Sequence, residues 1–249
     1  MKMNRTMVGI LTLALLSVSC SKQQDEARGR LSFSVVPDGQ VTEVTRSLVS
    51  DYTTLPQIGK FTIVVTGNNG NEVYNGLLEA YDESENLLTG NYTVKASYGS
   101  TSDEGFDKPC LTGEKTFSVT GGGTTNVTIP VTLANSIVRM GYSDNFKTYY
   151  TDYSIKLTTG AGTEVDFPKG EDRAAFVDAY TITVSGTLTN QGGKTQRFTK
   201  SYDTSLAPKT CYTIRFDVPN VGTGALRIDF DDKVEDVTLE DVDLNNYSE

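Results

Sequence analysis

The sequence predicts an all-β protein made of two tandem antiparallel β-sandwich domains. Apolar and polar residues alternate along most of the chain after residue 30, which places apolar side chains on one face of each strand. Runs rich in glycine and asparagine separate the alternating segments and suit hairpin turns. No segment keeps a 3.6-residue period over the roughly 11 to 18 residues that indicate a helix.

Residues 1–19 predict a lipoprotein signal peptide, and residues 20–29 predict a polar tether. Lys2 and Arg5 precede the apolar run 7–16, which is too short to span a bilayer. A small residue, Ser19, followed by Cys20 resembles a bacterial lipobox, so we expect Cys20 to be lipidated. An ordinary signal peptide with an incidental cysteine is the alternative.

The residues after Cys20 indicate in which membrane the protein is expected. Ser21 stands where aspartate is associated with inner-membrane retention, so the outer membrane is favoured. The acidic stretch 25–26 resembles the surface-export signal of Bacteroidetes lipoproteins, and a plain polar linker explains it equally well. Loss of Lys2 and Arg5 with the signal leaves 20 basic and 32 acidic residues, a net charge of −12. This charge argues against a nucleic-acid partner and against a polybasic membrane patch.

The first domain is predicted at residues 30–133. Its alternating apolar positions are Leu31, Phe33 and Val35; Phe61, Ile63 and Val65; Tyr92, Val94, Ala96 and Tyr98; and Val127, Ile129, Val131 and Leu133. Pro130 has no N–H to donate, so its strand is predicted to lie at a sheet edge or to be bulged there. Residues 38–55 lack alternation and indicate a long connection with one short helical turn. Within that connection, cleavage at Arg46 could free an acceptor groove, although a plain loop is favoured.

The second domain is predicted at residues 134–249, with an acidic C-terminal strand or tail. Its alternating apolar positions are Val138, Met140 and Tyr142; Tyr153, Ile155 and Leu157; Tyr180, Ile182 and Val184; Tyr212, Ile214, Phe216 and Val218; and Leu226, Ile228 and Phe230. Residues 144–150 and 171–176 are predicted as helical turns. Leu133 and Ile137 end and begin neighbouring strands, so we expect little hinge motion and a rod-like tandem.

Two stretches of the first domain resemble transthyretin-like or fimbrillin-like sandwich modules, namely 87–99 (LLTGNYTVKASYG) and 117–133 (FSVTGGGTTNVTIPVTL). Further segments extend the resemblance to Bacteroidetes lipoproteins known as a domain of unknown function: Phe106–Pro109, Thr132–Asn135, Tyr142–Phe146, Tyr153–Ser154 and Tyr212–Asp217. This resemblance implies an outer-membrane or surface lipoprotein with a fold related to fimbrial subunits and anchors. It brings no catalytic residue.

The composition excludes several kinds of catalytic site. Without histidine the chain cannot form a Ser-His-Asp or Cys-His arrangement or a histidine-containing zinc site. Paired carboxylates are uninformative among so many acids, so we expect neither an enzyme nor a cofactor. Cys110 and Cys211 lie on opposite sides of the predicted boundary, and we expect them to be unbridged, buried thiols.

Two features could bind a ligand. Tyr149 and Tyr150 interrupt the alternation, so one of the two rings could face solvent and stack on a sugar. An acidic run near the C-terminus could supply calcium ligands, but it lacks the usual loop motif and suits a solvated strand edge better. Its members are Asp229, Asp231, Asp232, Glu235, Asp236, Glu240, Asp241 and Asp243.

The sequence therefore predicts a lipid-anchored protein of the cell envelope with a structural, adhesive or fimbria-associated role. Its expected partners are the membrane, through the anchor, and a fimbrial or other envelope protein. Surface glycan binding is the alternative.

Overall fold

The computed structural model describes residues 27–37, 48–218 and 226–231, and almost all of these residues lie in strands or in the turns between them. The predictions for the signal peptide, Cys20, Arg46 and the acidic residues after Asp231 fall outside the described residues. The first half of the chain contains β1 (Arg28–Pro37), β2 (Thr62–Gly67), β3 (Glu72–Leu77), β4 (Leu87–Leu88), β5 (Gly90–Tyr98), β6 (Gly105–Phe106), β7 (Leu111–Val119) and β8 (Thr124–Leu133). Short 3-10 helices lie at Val49–Asp51, Ile58–Lys60 and Leu78–Ala80.

In the described residues, the second half of the chain contains the helix α1 and eight further strands. These are β9 (Ser136–Tyr142), α1 (Asp144–Tyr149), β10 (Tyr150–Thr159), β11 (Glu164–Pro168), β12 (Ala175–Val177), β13 (Ile182–Asn190), β14 (Thr195–Tyr202), β15 (Cys211–Asp217) and β16 (Arg227–Asp231). The helical turn predicted at 144–150 is confirmed. The one predicted at 171–176 is wrong, because its end forms β12, which pairs with β9.

The strands of the first half, except β6, form one sheet in the order β3-β2-β5-β7-β8-β1-β4. We call this sheet and its core the N-terminal unit. Only Thr89 separates β4, at one edge, from β5, near the centre, so the sheet must fold back on itself. Its two layers enclose the alternating apolar residues predicted from the sequence, such as Ile63, Val94 and Ile129, which are all fully buried.

The strands of the second half form two sheets, which we call the C-terminal unit. The first has the order β11-β10-β13-β14 and the second has the order β16-β15-β9-β12-β6. Side chains from both sheets, including Ile155, Val184 and Phe216, share one core. The all-β sandwich fold predicted from the sequence is therefore confirmed.

Each unit contains one parallel strand pair among its antiparallel ones. The pair β1 and β8 runs parallel from Arg30↔Thr124 to Pro37↔Val131, and β9 pairs in parallel with β15. The predicted edge position of Pro130 is wrong, because β8 lies between β7 and β1. The ladder between β7 and β8 spans only residues 111–112 and 132–133. Pro130 lies beyond that ladder, so its missing N–H breaks no bond there.

The two units exchange residues where they meet. Strand β6 comes from the first half of the chain but pairs with β12 in the C-terminal unit. Ile137, Ala174, Phe176 and Cys211 from the second half lie in the core of the N-terminal unit. The junction is therefore a shared apolar core, and a boundary between residues 133 and 134 stays a prediction.

The two cysteines lie at the starts of strands: Cys110 directly precedes β7, and Cys211 is the first residue of β15. Cys110 and Cys211 are both 4% exposed, and no disulfide joins them, as predicted. Burial raises the pKa of the Cys110 thiol, with Asp178 and Asp103 as further causes. A thiol held in its neutral form is a poor nucleophile, which agrees with a packing role.

Candidate functional site at the free end of the C-terminal unit

The start of β1 marks one end of the molecule. Thr89 donates its backbone N–H to the carbonyl of Ala27 at 2.8 Å, and Gly122 donates to Arg28 at 2.8 Å. The β2–β3, β4–β5 and β7–β8 turns (residues 67–71, 88–91 and 119–124) meet here, because β5 pairs with β2 and β7 in register at these residues. We call this the tether end, since the preceding residues lead back to Cys20.

The opposite end of the molecule belongs to the C-terminal unit. From the junction, β9 runs away from the N-terminal unit to Tyr142 and leads into α1. The turn between β13 and β14 reaches the same end, because Gln191 donates its N–H to the carbonyl of Tyr149 at 2.9 Å. We call α1 and this turn the free end, and it is the candidate site because it carries Tyr149 and Tyr150.

Ser143 fixes the start of α1. Its Oγ accepts a hydrogen bond from the N–H of Phe146 at 3.1 Å and donates one to Asp217 Oδ1 at 2.5 Å. The same carboxylate oxygen accepts from the N–H of Val218 at 2.8 Å. This serine is therefore an N-cap, and its carboxylate partner holds the cap in place. Both groups serve the local structure.

Below the cap lies a closely packed aromatic cluster. The Phe146 ring centroid is 4.9 Å from Tyr150, 5.2 Å from Tyr153 and 5.7 Å from Phe216. Burial is the main cause that raises the pKa of Tyr150 to about 12, and it raises the pKa of Tyr142 further. These phenols stay neutral at physiological pH and act as packing groups.

The two tyrosines proposed as sugar-stacking residues have different surroundings. Tyr150 is 1% exposed, and its hydroxyl accepts a hydrogen bond from Gln196 Nε2. Its ring cannot stack on a ligand from solvent, so that prediction is wrong for Tyr150. Tyr149 is partly exposed and meets the Tyr150 ring edge-on at 4.9 Å. Ligand binding by Tyr149 stays a prediction.

A shallow groove of about 410 Å³ lies next to the cap, on the outer face of the five-stranded sheet. Gly141, Arg215 and Asp229 face one another across β9, β15 and β16, and the glycine leaves the gap. Asp229 accepts from Arg227 Nε at 2.7 Å. This pairing agrees with the solvated strand face predicted for Asp229.

The sequence did not predict a contact between the two halves of the chain, which we call the clasp: Glu104, Phe106 and Arg173. Glu104 accepts hydrogen bonds from Thr159 Oγ1 at 2.7 Å and from the N–H of Asp178 at 2.9 Å. The Arg173 guanidinium lies 4.3 Å from the centroid of the Phe106 ring. The sequence used residues 106–109 only for family resemblance, and nothing in their local pattern shows a pairing with β12.

A salt bridge extends the clasp. Arg173 Nη2 lies 2.8 Å from Glu171 Oε2 and Arg173 Nη1 lies 3.5 Å from Asp107 Oδ2. The hydrogen bonds from Arg173 are the main cause that lowers the pKa of Glu171 to about 2. The carboxylate therefore stays ionised and holds the guanidinium over the ring.

The described residues contain neither a cluster of metal ligands nor a membrane-spanning helix. Within 27–37, 48–218 and 226–231 no three cysteine or acidic side chains cluster in a way that could hold a metal ion. Among those same residues no helix has the length and apolar character needed to cross a bilayer.

Comparison with known proteins gives a family and several similar folds. A family model described as "Domain of unknown function (DUF4493)" matches residues 27–245, and no curated protein matches the chain. A provisionally assigned cell adhesion protein from Bacteroides ovatus ATCC 8483 superposes with 12% identity over 87% of this chain and 99% of its own, at a TM-score of 0.47.

Two further solved structures resemble this chain. The fimbrial anchor protein Mfa2 from Porphyromonas gingivalis is 10% identical over 82% of this chain and 97% of its own, with a TM-score of 0.40. A provisionally assigned polysaccharide-binding protein from Bacteroides thetaiotaomicron VPI-5482 is 13% identical over 82% and 96%, with a TM-score of 0.40. At these TM-scores the superpositions carry no functional argument, so the proposal below rests on the chain's own residues.

Proposed function

The chain belongs to the DUF4493 family, and on that premise we propose that it is a lipid-anchored protein of the outer membrane, exposed at the cell surface, with a structural, adhesive or fimbria-associated role. Its partner would be a fimbrial or other envelope protein that contacts the free end. The chain would act by binding and not by catalysis.

The observation that carries this proposal is the placement of the two ends. The tether end belongs to the N-terminal unit and is preceded by the residues that lead back to Cys20. The free end belongs to the C-terminal unit, at the end that faces away from the N-terminal unit. β1 and β10 have ten residues each, so each unit is about 30 Å long in the direction of these strands. A protein that presents a contact surface away from a membrane needs this separation of its two ends.

The clasp supports the same role. A shared apolar core joins the units, and the clasp bonds the segment that leaves the N-terminal unit to the C-terminal unit, so a load applied at the free end passes to the tether end without a flexible hinge. The polar groups at the free end support this interpretation too, because Ser143 and Asp217 are engaged in capping α1. An adhesive or structural subunit requires stiffness more than a reactive group.

The anchor is tested by replacing Cys20 with serine in the full chain. We expect the wild-type protein to fractionate with the outer membrane and to carry acyl chains on Cys20 by mass spectrometry. The Cys20→Ser variant should be released into the soluble fraction. Membrane association of the variant equal to that of the wild type would contradict the anchor.

The partner is tested by crosslinking on intact cells. A photo-crosslinking amino acid in place of Gln191 would probe the free end, and the same group in place of Asn75, an exposed residue of β3, would serve as the control. We expect adducts with an envelope protein from position 191 alone. The same adducts from both positions, or adducts from position 75 alone, would contradict a contact at the free end.

A second candidate function is glycan binding at the free end, favoured by the partly exposed ring of Tyr149. Its edge-on contact with buried Tyr150 fixes the ring orientation, which lowers the entropy lost when a sugar stacks on it. A glycan array with the wild type and Tyr149→Ala decides this. Glycan signals that disappear in the variant would support glycan binding, and a wild type without signals would rule it out.

A further inference from the structure

We infer that the tether end is a membrane-contact surface, and that the protein stands on it with the turns 67–71, 88–91 and 119–124 against the lipid headgroups. This inference rests on the proposed lipid anchor at Cys20. It adds an orientation and a second contact, which lipidation alone does not require.

The tether is short. Seven residue steps separate Cys20 from Ala27, so even a fully extended chain spans at most about 25 Å. Ala27 itself lies against the turns, because its carbonyl accepts from Thr89 and a Cβ on Gly121 would come within 2.8 Å of its own Cβ. The turns are therefore the part of the folded chain that the tether brings nearest to the membrane.

The charge of the tether end also suits a membrane. None of the residues at 67–71, 88–91 or 119–124 is ionisable, although the chain without its signal carries a net charge of −12. Arg28 is exposed next to the turns and Glu72 is exposed directly after the first of them, so these two charges balance. Membranes that contain anionic lipids repel acidic surfaces and attract basic residues. An acidic protein that rested on such a membrane would need a contact face without net negative charge, and the three uncharged turns provide one.

The shape and chemistry of the surface at the tether end suit the same contact. A groove of about 600 Å³ lies between the β2–β3 and β4–β5 turns. Val73 and Leu88, each 39% exposed, form apolar parts of its wall. Asn68 and Asn71 line the same groove, and a side-chain amide can donate to headgroup oxygens. Apolar side chains next to uncharged donors suit the interface of a bilayer better than bulk water.

The test is amide hydrogen exchange of the full lipidated chain. Exchange is compared between protein in detergent and protein in vesicles of phosphatidylethanolamine and phosphatidylglycerol. We expect the three turns to exchange at least about fivefold more slowly in vesicles, with the turn at 190–195 unchanged as an internal control. Unchanged exchange in the three turns, or slowing at 190–195 instead, would overturn the inference.

Matched variants test which side chains make the contact. Val73→Glu and Leu88→Glu combined should return the three turns to the exchange rates seen in detergent. Leu48→Glu and Ile58→Glu combined place the same two charges at exposed apolar residues (46% and 49% exposed) outside this surface and should leave the protection intact. Equal loss of protection in both variants would overturn the inference, because it would report general charge repulsion.

A separate measurement distinguishes failure of the anchor from failure of this inference. If mass spectrometry finds no acyl chain on Cys20, the proposed anchor is wrong. The chain from Cys20 onward is then coupled through that thiol to a maleimide lipid, and the same exchange comparison reports on the surface alone. Protection of the turns in that sample supports the membrane-contact surface, and its absence rules it out.

Discussion

Removal of the Phe106 ring should weaken the C-terminal unit selectively and loosen its junction with the N-terminal unit. The ring is partly buried, lies 5.1 Å from Phe167 in an edge-on contact and lies below the Arg173 guanidinium. It also belongs to β6, whose only partner strand among the described residues is β12. Phe106→Ala removes the two ring contacts and leaves the backbone pairing possible.

The size of the effect follows from these contacts. A buried Phe→Ala change costs about 3–5 kcal/mol, and a partly exposed ring belongs at the lower end of that range. Of this total, the contact between Phe106 and Phe167 contributes about 1 kcal/mol, and the cation–π contact with Arg173 contributes about 0.5–1 kcal/mol. We therefore expect the free energy of unfolding of the C-terminal unit to fall by about 3 kcal/mol.

The assay is urea unfolding followed by amide exchange and mass spectrometry, which report separately on the strands of each unit. Phe106→Ala should lower the urea concentration at which β9–β16 open. The single unfolding transition should then separate into two, one for each unit. Phe117→Ala is the matched control, since Phe117 is also partly buried but packs on Phe33 and Tyr92 in the N-terminal unit. Equal loss in both units from Phe106→Ala, or a loss below about 0.5 kcal/mol, would refute the reasoning.

Three other perturbations test the local structure. Ser143→Ala removes the cap of α1 and the hydroxyl partner of Asp217, and should lower the free energy of unfolding by about 1–2 kcal/mol in urea titrations. The pKa of Glu171 is lowered to about 2. Its contact with Arg173 therefore stabilises the fold fully above the unfolded-state pKa near 4.5, and this stabilisation is lost as the pH falls toward 2. Glu171→Gln should lower the free energy of unfolding more at pH 6 than at pH 2. A Cβ at Gly113 would lie 2.1 Å from a carbonyl oxygen of β8, so Gly113→Ala should lower stability by about 1–3 kcal/mol and reduce the thermal midpoint. A wild-type midpoint in that last variant would show that the two strands can separate at low cost.

Much of the fold could be predicted because strand alternation is a local property. The run Val127–Leu133 shows its buried face directly, since residues 127, 129, 131 and 133 are apolar and all are at most 3% exposed. The glycines and asparagines at 67–71 likewise predict the turn there. These features depend on neighbouring residues and on the two-residue period of a strand.

The candidate site was predicted less well. The interruption of alternation at Tyr149 and Tyr150 correctly marked a change of structure, the end of α1. It did not show which ring is exposed, because Tyr150 is buried by Phe146 and by Gln196 from β14, a strand more than forty residues further along the chain. Burial of a single ring is decided by whatever packs over it.

The sequence by itself determined that this chain forms strands, where most of them turn, and which side chains face a core. Only the tertiary structure decided the strand partners, namely the parallel pairing of β1 with β8 and the insertion of β6 beside β12. It also decided the clasp between the two halves of the chain. Alternation assigns each residue to a face of its strand but leaves both edges of the strand open to any partner. The partner is selected by packing between residues far apart in sequence, which no local pattern records.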